Sequence, residues 1–189
     1  SLYVHIPFCQ QRCWYCGCNM RVENRYERAA HYVSVLVEEI TNVAALLRGR
    51  GQLTQIHFGG GTPNYLRTED LGRVIDAIEI GFGVTDNTPI AMELDPRRCD
   101  SDSLAKLVAY GVSRVSLGVQ DFHVDVQQAI NRVQPYEIVE ECVTVLREMG
   151  VADISFDLLL GLPKQTLCSF RDTVRKTLVL DPDRISLFG

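Results

Sequence analysis

Two spacings of apolar residues take turns along this 189-residue chain. Short stretches repeat every second residue: LYVHIPF (Leu2–Phe8), TQIHFGG, PIAMELD, RVSLGVQ, DISFDLLLG and RISLFG. Alternation of that kind reads as a β-strand. Between them lie longer stretches with helical spacing. One runs from about Tyr26 to Arg48 and stops at Gly49, a C′ glycine. A second is capped by Thr68 and apolar at Leu71, Val74, Ile75 and Ile78. A third follows Asp100 and ends near Gly111. A short helix then precedes a longer one from Pro135, an N1 residue, to Met149 and Gly150, and the last lies near Ser169–Leu180. Strand and helix alternating to a sixth strand predict an α/β domain with a parallel sheet and right-handed crossovers.

Successive strand residues point to opposite faces. One face collects Val4, Ile6, Ile56, Phe58, Met92, Leu117, Phe156, Ile185 and Leu187. The other collects Tyr3, His5, Gln55, His57, Glu93, Asp95, Ser116, Gly118, Gln120, Ser155, Asp157 and Ser186. A doubly wound sheet is apolar on both faces, and a closed eight-stranded barrel fills its interior with branched apolar residues. One polar face therefore predicts an open partial (β/α) barrel with helices outside and a wide, wet cavity. Glu93, Gln120 and Asp157 sit in the middle or toward the C-terminal end of their strands, where α/β folds bind ligands.

Composition narrows the partners. The net charge of −5 gives no basic footprint for DNA or RNA. No apolar run approaches the length of a membrane span, and no signal peptide precedes the first strand. Seven cysteines, three of them scattered at Cys99, Cys142 and Cys168, fit a reducing cytoplasm better than a secreted disulfide framework. The chain opens directly on one strand and stops on another, which reads as an excerpt of a longer protein.

The other four cysteines crowd into HIPFCQQRCWYCGCN just after the first strand. Cys9, Cys13 and Cys16 are spaced C-x3-C-x2-C, with Cys18 two residues on. Runs of this kind supply several thiolates to an iron–sulfur cluster from one loop. A four-thiolate zinc module stays open, although zinc sites usually join two separated ligand pairs and no second pair exists here. Three cysteines on a cubane would leave one iron without a protein ligand. Only Gly17 separates Cys16 from Cys18, which makes joint ligation of one cubane awkward.

The C-x3-C-x2-C loop, followed by GGGTP after the second strand, resembles the radical S-adenosylmethionine (SAM) superfamily. More closely, YVHIPFC, CWYCGCN, HFGGGTPNYL, ELDPR, SLGVQDF, INRVQ and FDLLLGLPKQT resemble the oxygen-independent coproporphyrinogen III oxidase (dehydrogenase) family of heme biosynthesis, along essentially the whole chain. The resemblance implies that Cys9, Cys13 and Cys16 bind a [4Fe–4S] cluster and that SAM chelates its fourth iron. Cys18 would be characteristic of the enzyme without being a ligand. Tyr3, Tyr15, Gly60, Gly61, Thr62, Glu93, Gln120, Arg132 and Asp157 would contact SAM, with two SAM molecules in the family; Tyr15 stands where Phe is common. The implied reaction is reductive cleavage of SAM to a 5′-deoxyadenosyl radical, then oxidative decarboxylation of two propionates to vinyl groups, giving protoporphyrinogen IX. It also implies a porphyrinogen substrate, an electron donor such as flavodoxin or ferredoxin, a monomeric state, and an N-terminal segment and C-terminal domain outside these residues. A heme-binding paralogue of the same core is the nearest alternative, and such paralogues usually lack the residue matching Cys18.

Residue chemistry agrees in type. Glycines at Gly59–Gly61 let backbone approach a ligand, since no Cβ intervenes. Glu93 and Asp157 suit ribose hydroxyls or an ammonium, and the planar fork of Arg132 suits a carboxylate. His5 and His57 point to the same side, where strand histidines are commonly hydrogen-bonded structural groups.

Overall fold

The computed structural model describes all of the chain except residues 51 and 86. Its elements in chain order are β1 (Leu2–Ile6), β2 (Phe8–Cys9), β3 (Arg21–Val22), α1 (Tyr26–Leu47), β4 (Ile56–Gly60), α2 (Thr68–Phe82), β5 (Ile90–Leu94), α3 (Ser101–Ala109), β6 (Val112–Gln120), α4 (Val124–Ala129), α5 (Tyr136–Glu148), β7 (Asp153–Leu159), α6 (Leu167–Val179) and β8 (Arg184–Phe188). Six strands form one sheet in the order β1-β4-β5-β6-β7-β8, with every neighbouring pair parallel. β1 and β8 pair on one side only, so the sheet is an open partial barrel, as the polar face predicts.

The apolar strand face and the helix stripes make one core. Ile6, Ile56, Phe58, Leu117, Ile154 and Phe156 have no exposed surface, and they pack with Val33, Leu71, Ile78 and Val139 from the helices. Ile185 and Leu187 are exposed on β8, the edge strand of the sheet.

Several sequence boundaries move for local reasons. The first strand does not run through to Phe8. It breaks at Pro7, and Phe8–Cys9 pairs instead with Arg21–Val22, a strand the alternation rule missed because it spans two residues. Thr68 is the first helical residue of α2; the extended Arg67 occupies the N-cap and no side chain caps it. Pro135 is likewise the N-cap of α5, one position before N1. Asp100 does cap α3: its Oδ1 accepts from Ser103 N at 2.8 Å, worth about 1 kcal/mol. The expectation about membrane-length runs is also corrected. α1, 22 residues with a mean hydropathy of 1.2 in its most apolar window, is long and apolar enough to cross a bilayer. It buries only Ala29, Val33, Leu36 and Ile40, a single stripe against the core.

Candidate functional site

The cysteine loop is closed at its base by β2–β3 pairing. Arg21 N donates to Pro7 O at 2.6 Å and Glu23 N to Cys9 O at 3.0 Å, so Cys9 to Cys18 project from a fixed neck. Buried Glu23 braces that neck. Its carboxylate accepts from the backbone of Asn24 and Arg25 and from Arg28 Nη1 at 3.1, 3.0 and 3.0 Å. The far side of the loop rests on the turn after α4. There Trp14 N donates to Ile130 O at 3.0 Å and Asn131 Nδ2 to Arg12 O at 2.8 Å.

Beneath the loop, the C-terminal strand ends surround a cavity of about 630 Å³. Cys9, Cys13, Cys16 and Cys18 line it together with Tyr15, Gly60, Gly61, Thr62, Glu93, Gln120, Arg132 and Asp157. Of the site residues named from the sequence, Tyr3 falls outside the lining; its ring stacks on His57 at 5.7 Å between centroids. His5 and His57 also stand outside it. Their ring nitrogens pair with Asn19 O at 2.8 Å and with Glu93 Oε1 at 3.1 Å.

The glycine turn is needed where it stands. Gly60 has φ +120°, a conformation L side chains avoid, and an added Cβ would lie 2.8 Å from Ile6 O. A Cβ on Gly61 would lie 2.9 Å from Phe8 O and 3.0 Å from Cys9 Sγ. These two glycines let the second strand end press against the first cysteine. Thr62 then places its hydroxyl 3.3 Å from Cys9 Sγ. Burial pushes the Cys9 thiol up, and the Thr62 hydrogen bond offsets part of that rise.

The acids differ. Glu93 holds its carboxylate between Gly60 N (3.3 Å) and His57 Nε2 (3.1 Å), with much of its surface open. Asp157 accepts from Ser116 Oγ at 3.0 Å. Burial raises its carboxyl above the usual range, the Ser116 bond works against that, and nearby Glu93 adds to it. Asp95 is nearly enclosed. Burial works to raise it, but Arg97 and Arg132 outweigh burial and hold it low. Asn64 locks the same residue by accepting from Asp95 N and donating to Asp95 O, both at 3.0 Å.

Arg132 lines the same cavity. Its guanidinium is already ion-paired to Asp95 Oδ2 at 3.3 Å and only 9% of its side chain is exposed. Burial disfavours the charge, and Asp95 more than restores it. Gln120 enters the site through a register shift between Gly118 and Gln120 that puts it at φ +68°. The two-residue alternation did not foresee that bulge. Glu23, Asn64 and Arg97 were missed as well; the Asp-Pro-Arg run of ELDPR was the available signal for the last.

Among the described residues, no three His, Cys, Asp or Glu side chains converge tightly enough to grip one metal ion. Cys9, Cys13 and Cys16 line one cavity from a single loop, and thiolates are the donor set of iron–sulfur clusters. Cys18 sits at the rim, where partial desolvation and a hydrogen bond to Cys16 push its thiol up to about 11.

A family model described as the radical SAM superfamily matches residues 3–177. The oxygen-independent coproporphyrinogen III oxidase of Bradyrhizobium diazoefficiens is 45% identical over 189 residues, covering 100% of this chain and 42% of that protein. The Escherichia coli enzyme of the same name is 42% identical, again over 100% of this chain and 41% of its own length. Among solved structures, coproporphyrinogen III oxidase from Escherichia coli, described as a radical SAM enzyme, aligns with a TM-score of 0.96 at 40% identity, over 100% of this chain and 43% of that one. This chain spans less than half the length of these relatives.

Proposed function

This chain belongs to the radical SAM superfamily, and from that premise we propose that it is the cluster- and SAM-binding core of an oxygen-independent coproporphyrinogen III oxidase. The observation that carries the reading is the convergence of three thiols, a glycine turn and open carboxylates on one cavity at the C-terminal strand ends. Identity of 45% and 42% along the whole chain to relatives of that name supports it.

The residues fit the cofactor. The thiols of Cys9, Cys13 and Cys16 are of the type that binds iron–sulfur clusters. The Gly61 cradle, which a Cβ would fill, keeps room beside Cys9. When bound, a [4Fe–4S] cluster would supply the electron for reductive cleavage of SAM, the radical chemistry that a porphyrinogen propionate would undergo. The chain's residues orient and shield. Glu93, fixed by Gly60 N and His57, is positioned to accept from ribose hydroxyls or an ammonium. Asp157, which has no ion pair among the described residues, offers a second acceptor. Tyr15, half-buried against Val126 and Ile130 under the cysteine loop, covers one side of the cavity and limits water access. Tyr3, Gln120 and Thr62 complete the proposed SAM contacts, with Arg132 toward the SAM carboxylate. A second SAM molecule, an electron donor such as flavodoxin or ferredoxin, a monomeric state and a cytoplasmic location belong to the same proposal. The last is supported by the odd count of seven cysteines, three of them scattered without paired spacing.

The test is anaerobic reconstitution of the full-length protein with iron and sulfide, followed by incubation with SAM, a reductant and coproporphyrinogen III. The expected outcome is 5′-deoxyadenosine and two vinyl groups per porphyrinogen. Serine at Cys9, Cys13 or Cys16 lowers SAM cleavage more than about a hundredfold, beyond the usual cost of losing a group that merely supports a ligand. A protein that takes up zinc alone, or binds heme and makes no vinyl product, overturns the reading.

A further inference from the structure

Arg132 meets the cysteine loop from within the fold. Its Nη1 lies 3.8 Å from Cys13 Sγ and 3.3 Å from Asp95 Oδ2, while Nη2 donates to Gly118 O at 2.7 Å. Asp95 also receives the fork of Arg97, at 2.9 Å from Nε and 2.6 Å from Nη2. One enclosed carboxylate thus faces two guanidiniums, while Asp157 of the same cavity acts on Arg132 only at longer range, so positive charge is in excess beside the thiol.

Leaving an ion buried and unbalanced is costly unless something of opposite sign completes it. Arg132 Nε adds to the imbalance, since it is buried and has no partner among the described residues. A cluster held by three thiolates would supply the missing sign, because it is anionic overall and gains a further negative charge on reduction. A second observation ties the two together. The turn that presents Arg132 also docks the loop, through Trp14 N to Ile130 O (3.0 Å), Asn131 Nδ2 to Arg12 O (2.8 Å) and Gln11 Nε2 to Asn131 O (3.3 Å). Arg132 and Cys13 are therefore held in register by hydrogen bonds between the loop and the turn.

We infer that Arg132 sets the reduction potential of the bound cluster by donating to the Cys13 thiolate, and that Asp95 is its positioning residue. This rests on the cluster reading above. Hydrogen bonds to sulfur and local net charge are the levers by which a protein moves such potentials. They act here with opposite signs. Loss of the Arg132 charge disfavours the reduced, more negative cluster. Loss of the Asp95 charge leaves two guanidiniums unopposed and favours it.

The experiment is a redox titration of the reconstituted full-length protein, followed by electron paramagnetic resonance. SAM is omitted, so the proposed contact of Arg132 with that ligand plays no part. Arg132→Met is expected to move the midpoint negative and Asp95→Asn to move it positive, each by about tenfold in the reduction equilibrium, or about 59 mV for one electron. Arg132→Lys, which keeps charge and loses the fork, should fall between wild type and Arg132→Met. Midpoints that stay put, or that move in the same direction in Arg132→Met and Asp95→Asn, overturn the inference, since a structural role would not reverse sign. If Arg132→Met fails to hold a cluster, Asp95→Asn and Arg132→Lys decide by the same criterion. A wild-type protein that binds no iron and sulfide fails earlier, at elemental analysis, and sinks the cluster reading itself.

Discussion

Asp95 follows the end of β5 and Asp157 lies in β7, both on the polar side of the sheet, yet they end in opposite states. Asp95 is clamped by two arginines and Asn64 and sits below the usual carboxylate range despite burial. Asp157 accepts from Ser116, has no ion pair among the described residues and is raised, burial being the main cause. The difference separates two jobs. A carboxylate whose bonds are already satisfied holds the framework together. One that keeps acceptor capacity and pays a desolvation cost is available to a ligand.

The comparison breaks most visibly at Asp95. Replacing it with alanine leaves Arg97 and Arg132 without their carboxylate, and a loss of about 3–5 kcal/mol is expected in denaturant unfolding. Asp157→Asn should cost less than about 0.5 kcal/mol at neutral pH, as no buried cation depends on it. The same variant should weaken SAM binding to the reconstituted protein about tenfold by calorimetry, the lower end of what losing a supporting ligand contact costs. Equal stability losses at the two positions would erase the distinction.

pH sharpens it further. The folded-state value of Asp95 is depressed, so its contribution is present above the ordinary carboxylate pKa of about 3.9 and lost as pH falls through the lower folded value. Acid unfolding of wild type should therefore be steeper than that of Asp95→Asn. Asp157 has the reverse sign: its folded-state value is raised, so its contribution exists at low pH and is lost as pH rises through that value. The stability of Asp157→Asn relative to wild type should accordingly be most favourable at neutral pH and decline toward pH about 4. Ser116→Ala removes one hydrogen bond to the Asp157 carboxylate and should push the Asp157 titration seen by NMR further upward.

Much of the site was legible in the chain because strands alternate with a period of two. That rule put Glu93, Ser116 and Asp157 on one side and Phe58, Leu117 and Phe156 on the other, and the structure keeps both sets. It also put Gln120 on the polar side, where the cavity holds it, but could not show the register shift between Gly118 and Gln120 on the way there. Nor did it separate Asp95 from Asp157, which look alike as acids on the same face.

The chain's own order of residues therefore determined the alternating elements, the open parallel sheet and the thiol spacing, since each depends on neighbours a few positions apart. Tertiary structure alone decided that Arg132 faces Asp95 and Cys13, that His57 steadies Glu93, and that Pro7 and β3 bend the cysteine loop over the cavity. Those pairings join residues well separated in the chain, and the strength of the Arg132–Asp95 pair comes from a desolvated interior that exists only once the chain has closed around it.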